Sequence, residues 1–201
     1  MGWTKGDAAL GLGDSLTSSD GLEHSRQAPR ERHSESNMNS KYLLGEKTEV
    51  NGRTLRRIKA LKDIGPYARA GQLGGWIESE ENLCESGDAW ISGEAQVFGE
   101  AHVLGDALVF GNASVGGNAR VSGNARVGDR AWITDKAWVS DDALVSGRAQ
   151  VSGYARIEDG AWVGDHALIA GKVRVSGYAR VGGHVRLVGD EWVSDETKML
   201  D

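Results

Sequence analysis

The chain has 201 residues, enough for one ordinary domain and a tail, with 29 Gly, 2 Pro and a net charge of −6. Glycine at that level without a collagen-type triplet points to a tightly turning β repeat, and the acidic balance excludes attraction of the whole surface to nucleic acid or anionic lipid. No segment has the roughly 20 apolar residues of a membrane span, and no secretory apolar block opens the chain. The single cysteine, Cys84, cannot close an internal disulfide and fits a small, half-buried role; the expected compartment is the cytoplasm.

Residues 1–40 are rich in Ser, Gly, Glu and Arg and have no helical or strand period. They cannot bury enough apolar surface to offset the entropy of ordering, so a disordered extension is expected, with Met38 as the native start. Residues 41–88 form a different, non-repeating unit. Asn51-Gly52 between Glu49-Val50 and the run from Thr54 to Leu61 is a hairpin turn signal, because both residues tolerate positive φ. Gly65-Pro66 and Gly74-Gly75 read as punctuation, and Arg53, Arg56, Arg57, Lys59 and Lys62 read as the solvated face of a strand. The expected role of the unit is to cap the open end of the repeat that begins at Ala89.

From Ala89 a six-residue unit takes over: Ala, any, aliphatic, any, Gly or Asp, any. All 18 positions stepping by six from Ile91 to Val193 are Ile, Val or Leu, and all 18 from Gly93 to Asp195 are Gly or Asp. From Ala89 to Glu191, 15 of 18 are Ala, the departures being Val173, Val185 and Glu191. Strand alternation turns the aliphatic residue and the Ala two positions before it inward. Gly or Asp supplies the backbone angle of a sharp corner, so each Gly of the repeat is assigned to a corner. Three units close a triangular coil of 18 residues, and 18 units make six coils, roughly 29 Å long at ~4.8 Å per strand. Residues 196–201 remain as a C-terminal tail.

This pattern resembles the hexapeptide-repeat, left-handed β-helix proteins, and the resemblance implies an all-β, left-handed parallel β-helix over residues 89–195 behind a small β cap. The stretches from Leu55 to Asp63 and from Gly71 to Leu83 are similar to the cap of a phage and prophage family related to YdcK. Members of that family are loosely labelled acyltransferases for the repeat, but fold does not fix function.

Side chains 18 apart stack on one wall, and the residue before each aliphatic faces out. The first such column is His102, Arg120, Trp138, Arg156, Arg174 and Trp192; the second is Trp90, Leu108, Arg126, Leu144, Trp162 and Arg180. The third is Gln96, Ser114, Trp132, Gln150, Leu168 and Arg186. Arg120, Trp138, Arg156, Arg174 and Trp192 are the candidate recognition wall, for a partner protein, a glycan, an acidic ligand or another subunit of a trimer. The corner residues grade from Glu94, Glu100 and Asp106 through asparagines to Arg130, Lys136 and Asp142.

Resemblance to the hexapeptide-repeat acyltransferases raises the alternative of a catalytic His acting with acetyl-coenzyme A. His102, His166 and His184 are the candidates; His166 and His184, 18 apart, should stack on one corner with no loop insertion beside them. The spacings select for no metal site, nucleic acid is disfavoured as a partner, and the expectation is a non-catalytic scaffold without a cofactor.

Overall fold

In a computed structural model of the chain, residues 40–201 are described; the expectations for the preceding extension and for Met38 lie outside them. The N-terminal unit opens with a hairpin, β1 (Tyr42–Val50) and β2 (Arg53–Ala60), antiparallel around Asn51-Gly52. Both turn residues have positive φ, 51° and 74°, which matches strand twist in a two-residue turn. The third strand, β3 (Leu73–Ile77), pairs antiparallel with β2 on one side and parallel with Gln96–Val97 on the other. Thus β3 joins the cap to the repeat within one sheet. Gly74 and Gly75 lie inside this strand rather than in a turn. A Cβ at Gly74 would stand 2.5 Å from Ile58 and 2.6 Å from the Trp90 ring, so only glycine lets the strand approach so closely.

The remaining strands are two to four residues long and pair in parallel at a spacing of 18, in three sheets. The third column follows β3 in the sheet that holds the hairpin, the first column forms a six-stranded sheet, and the second a seven-stranded one. The stack has seven turns, one more than the 18 strict units supply. Ile77 and Leu83 begin it, paired with Val97 and Val103 at a spacing of 20, and Met199 ends it beside Val181. The chain is all-β, with one 3-10 turn at Glu80–Asn82 and no α-helix among the described residues.

The repeat's chemistry is visible in its backbone. All 18 corner positions, twelve glycines and six aspartates, have positive φ. Asp tolerates that region because its short side chain bonds locally. Here the carboxylates of Asp129, Asp135, Asp159 and Asp165 each accept the backbone N–H of the glycine one turn on, at 2.9–3.0 Å. Other glycines serve packing instead of corners: a Cβ at Gly116 or Gly128 would collide with the ring of Phe98 or Phe110. The 18 aliphatic positions are all buried and make a continuous core with the alanines. Each is worth ~1.5–3 kcal/mol of burial before entropy, so stability accumulates turn by turn.

The cap seals the start of that core with polar bonds. Asn82 is fully buried; its Oδ1 accepts the N–H groups of Glu78 and Ser79, and its Nδ2 donates to Gly99 and Ala101 O, all at 2.9–3.0 Å. Lys41 is buried with its Nζ donating to Cys84 O at 3.0 Å. Burial holds its pKa below the usual lysine value, against the pull of Cys84, Asp88 and Asp106.

The basic cluster is not a plain solvated face. Arg53 pairs with Glu78 and lies over Phe98; Arg57 pairs with Glu94 and lies over Trp76. Hydrogen bonds from Arg57 and Trp76 hold the Glu94 carboxyl below the usual range. These cations tie the hairpin to the first turns. Trp90 and Leu108, expected to face out, are buried, and Trp90 is buried completely because β3 of the cap packs against its ring at Gly74.

Candidate functional site

The first column lies in one sheet, in register: His102, Arg120, Trp138, Arg156, Arg174 and Trp192 are successive neighbours. The inward residue beside each is buried and the outward one, from Arg120 on, is exposed. The ladder is stiffened within the chain. Arg156 sits 5.4 Å from the Trp138 ring centroid and Arg174 5.6 Å from that of Trp192. Each indole N–H donates to a serine 16 residues earlier, Trp138 to Ser122 and Trp192 to Ser176, both at 3.0 Å. Arg174 is also bonded to Glu158, again 16 residues back. Trp162 on the second column repeats the bond with Ser146. The Trp–Ser spacing of 16 is readable in the sequence and is the signal that identifies these anchors.

A groove lies beside this wall. The corner column Lys136, Tyr154, Lys172 runs next to Trp138, Arg156, Arg174, and together they line a depression of about 410 Å³. Lys136 Nζ donates to the Tyr154 hydroxyl at 3.4 Å and lies 5.2 Å from its ring centroid. Four cations thus meet on a chain that is acidic overall. One of them, Arg174, is neutralised by Glu158; Lys136, Arg156 and Lys172 have no ion pair among the described residues.

His166 and His184 do stack on one corner, with ring centroids 5.0 Å apart and planes 8° apart. Their side chains are exposed, and among the described residues no carboxylate bonds either ring to orient it as a base. Stacked parallel rings direct their nitrogen lone pairs sideways, so the pair does not converge on a common point. His102 instead bonds through Nδ1 to Glu81 O at 2.8 Å, at the junction of cap and repeat. Cys84 is half-buried, its Sγ 3.1 Å from Ser86 Oγ. Among the described residues no cluster of three or more His, Cys, Asp or Glu side chains is arranged to hold a metal ion, and no helix is long and apolar enough to cross a membrane.

On the third column, Trp132 has Gly116 in place of the serine and is half exposed. It lines a smaller cleft of about 280 Å³ under the hairpin turn, with Arg53 and Phe98.

A family model for the YdcK β-solenoid repeat matches residues 113–129, one stretch of the regular stack. No curated protein matches the chain.

Proposed function

We propose that the chain, a β-solenoid repeat protein of the YdcK-like type, is a non-catalytic structural or interaction scaffold that presents its first wall to a partner. One observation carries the reading. Arg120, Trp138, Arg156, Arg174 and Trp192 stand exposed at consecutive rungs of one sheet, on a fully packed support. Display on a rigid frame reduces the ordering cost of binding, and Trp and Arg are the side chains that most often dominate interface energy. The phage or prophage setting rests on the resemblance of the N-terminal unit, the partner being a protein or a glycan. The single Cys84 fits the cytoplasm.

We further assign the chain to a homotrimer packed through its walls; a stable monomer in light scattering at micromolar concentration would remove that part. The main test is a double substitution, Arg156→Ser with Arg174→Ser. Both residues are exposed, so the thermal melt should hold while the amount of partner recovered by affinity capture falls. An unchanged partner profile would count against the wall.

A further inference from the structure

Building on the reading of the first wall as a recognition surface, we propose that the groove of Lys136, Trp138, Tyr154, Arg156, Lys172 and Arg174 is a docking site for an acidic segment of a partner protein, held through clustered carboxylates. The first support is charge. The chain has 29 acidic residues for 23 Lys and Arg, yet Lys136, Arg156 and Lys172 are left without an ion pair among the described residues. Of the acids around it, Glu158 is bonded to Arg174, Asp135 accepts the Gly153 N–H, and Asp190 lies one turn beyond Lys172. The groove itself is lined by four cations and no carboxylate, which favours an outside anion.

The second support is the direction of the available chemistry. Trp138 lies between Arg120 and Arg156 in register, and Tyr154 between Lys136 and Lys172 in the corner column. Arg156 and Lys136 occupy ring faces of these two aromatics. Nucleobases bind such sites by stacking on open ring faces, and this ladder already has a cation over one face of each of the two rings. It offers N–H edges, suited to carboxylates, which a guanidinium takes in a two-pronged contact. The exposed ring edges remain for the methylenes of acidic side chains.

The third support is extent. From Lys136 to Lys172 the groove covers two rung spacings, roughly 10 Å. One turn beyond Lys172 stand Asp190 and Glu191, and the far corner of the wall carries Asp141, Asp142 and Asp159. A long polyanion would run onto these acids; a short acidic cluster would not.

The test is a titration of the full chain with a fluorescent triglutamate peptide, about 10 Å when extended, at low salt, followed by anisotropy. Saturable binding is expected, weakened roughly ten-fold in the triple variant Lys136→Ser, Arg156→Ser, Lys172→Ser, and weakened similarly between 50 and 200 mM salt. Lys172→Ser alone guards against misfolding, since that side chain makes no hydrogen bond, ion pair or ring contact among the described residues; a loss of about three-fold is expected from it. A twelve-residue oligo-dT and a sulfated oligosaccharide should bind more weakly than the peptide. Absence of peptide binding, equal binding by the triple variant, or tighter binding of either polyanion would overturn the proposal. If the peptide fails while the Arg156→Ser, Arg174→Ser protein still loses its cellular partner, the carboxylate assignment falls and the wall reading stands. If both fail, the wall reading falls as well.

Discussion

The cap and the repeat reach stability by opposite routes. Between residues 89 and 199 the same small set of contacts recurs in each turn: an inward aliphatic, an inward small residue and a corner of positive φ. No one of them is indispensable to the pattern. In the cap, single residues hold whole junctions: Asn82 bonds four backbone groups, Lys41 is buried whole, and Arg53 and Arg57 each combine an ion pair with a ring contact. Redundancy makes the repeat tolerant and its walls regular, which is what a display surface needs. Specific polar bonds make the cap a register stop, because the buried Asn82 side chain meets its four backbone partners in only one alignment.

This contrast predicts where substitutions hurt most. Asn82→Ala should be the most damaging, about 3 kcal/mol in urea unfolding, since it removes the side-chain partner of the Ser79 N–H and of the Gly99 and Ala101 carbonyls, the last of them buried, while Glu78 N–H keeps its bond to Val97 O. A loss below about 1 kcal/mol would mean that the cap is no more finely specified than the repeat. Within the repeat, Gly147→Ala should cost about 2 kcal/mol, because Gly147 has φ +68° and an added Cβ would stand 2.7 Å from the Asp165 backbone N. Asp165→Gly, one turn on at the same corner, should change stability by no more than about 0.5 kcal/mol, losing one bond to Gly183 but relaxing the backbone. Equal effects at the two positions would contradict the corner account.

The cap should also show a pH dependence through Lys41. Lys41 has a folded pKa below its unfolded value near 10.5, so in the window beneath 10.5 the unfolded chain binds more protons. Stability should rise with pH across that window, at most about 1.4 kcal/mol per pH unit for one proton, and be flat in this group's contribution below the folded pKa. Lys41→Met should flatten the slope; a slope identical to wild type would show that Lys41 is not buried. The smallest effect belongs to the wall. Ser122→Ala removes the exposed bond to Trp138 and should cost about 0.5 kcal/mol, seen as a slight drop in melting temperature with the indole emission shifted red.

Much of the repeat is legible in the sequence because its signals are local and periodic. The aliphatic register, the corners and the wall columns all follow from six- and eighteen-residue spacing, as does the stacking of His166 on His184. Asn51-Gly52 is equally plain. The features that stay hidden depend on long-range packing. The seventh turn escapes the period because Ile77 and Leu83 pair across 20 residues and Leu83 is eight residues from Ile91. Gly74-Gly75 looks like a turn until Ile58 and Trp90 are seen against it, and Trp90 looks like a wall residue until the cap covers it. The groove is hidden for a different reason. Along the chain Lys136 belongs to a gradient of corner charge, whereas its neighbours in space are Tyr154 and Lys172, at steps of 18.

The most direct test of a scaffold that binds without catalysis is calorimetric titration of the full chain with acetyl-coenzyme A, in parallel with His166→Ala, His184→Ala protein. The account predicts no saturable heat that depends on the two histidines. Micromolar binding abolished by their removal would contradict it, and would place an acyl-transfer site on the corner where the imidazoles stack.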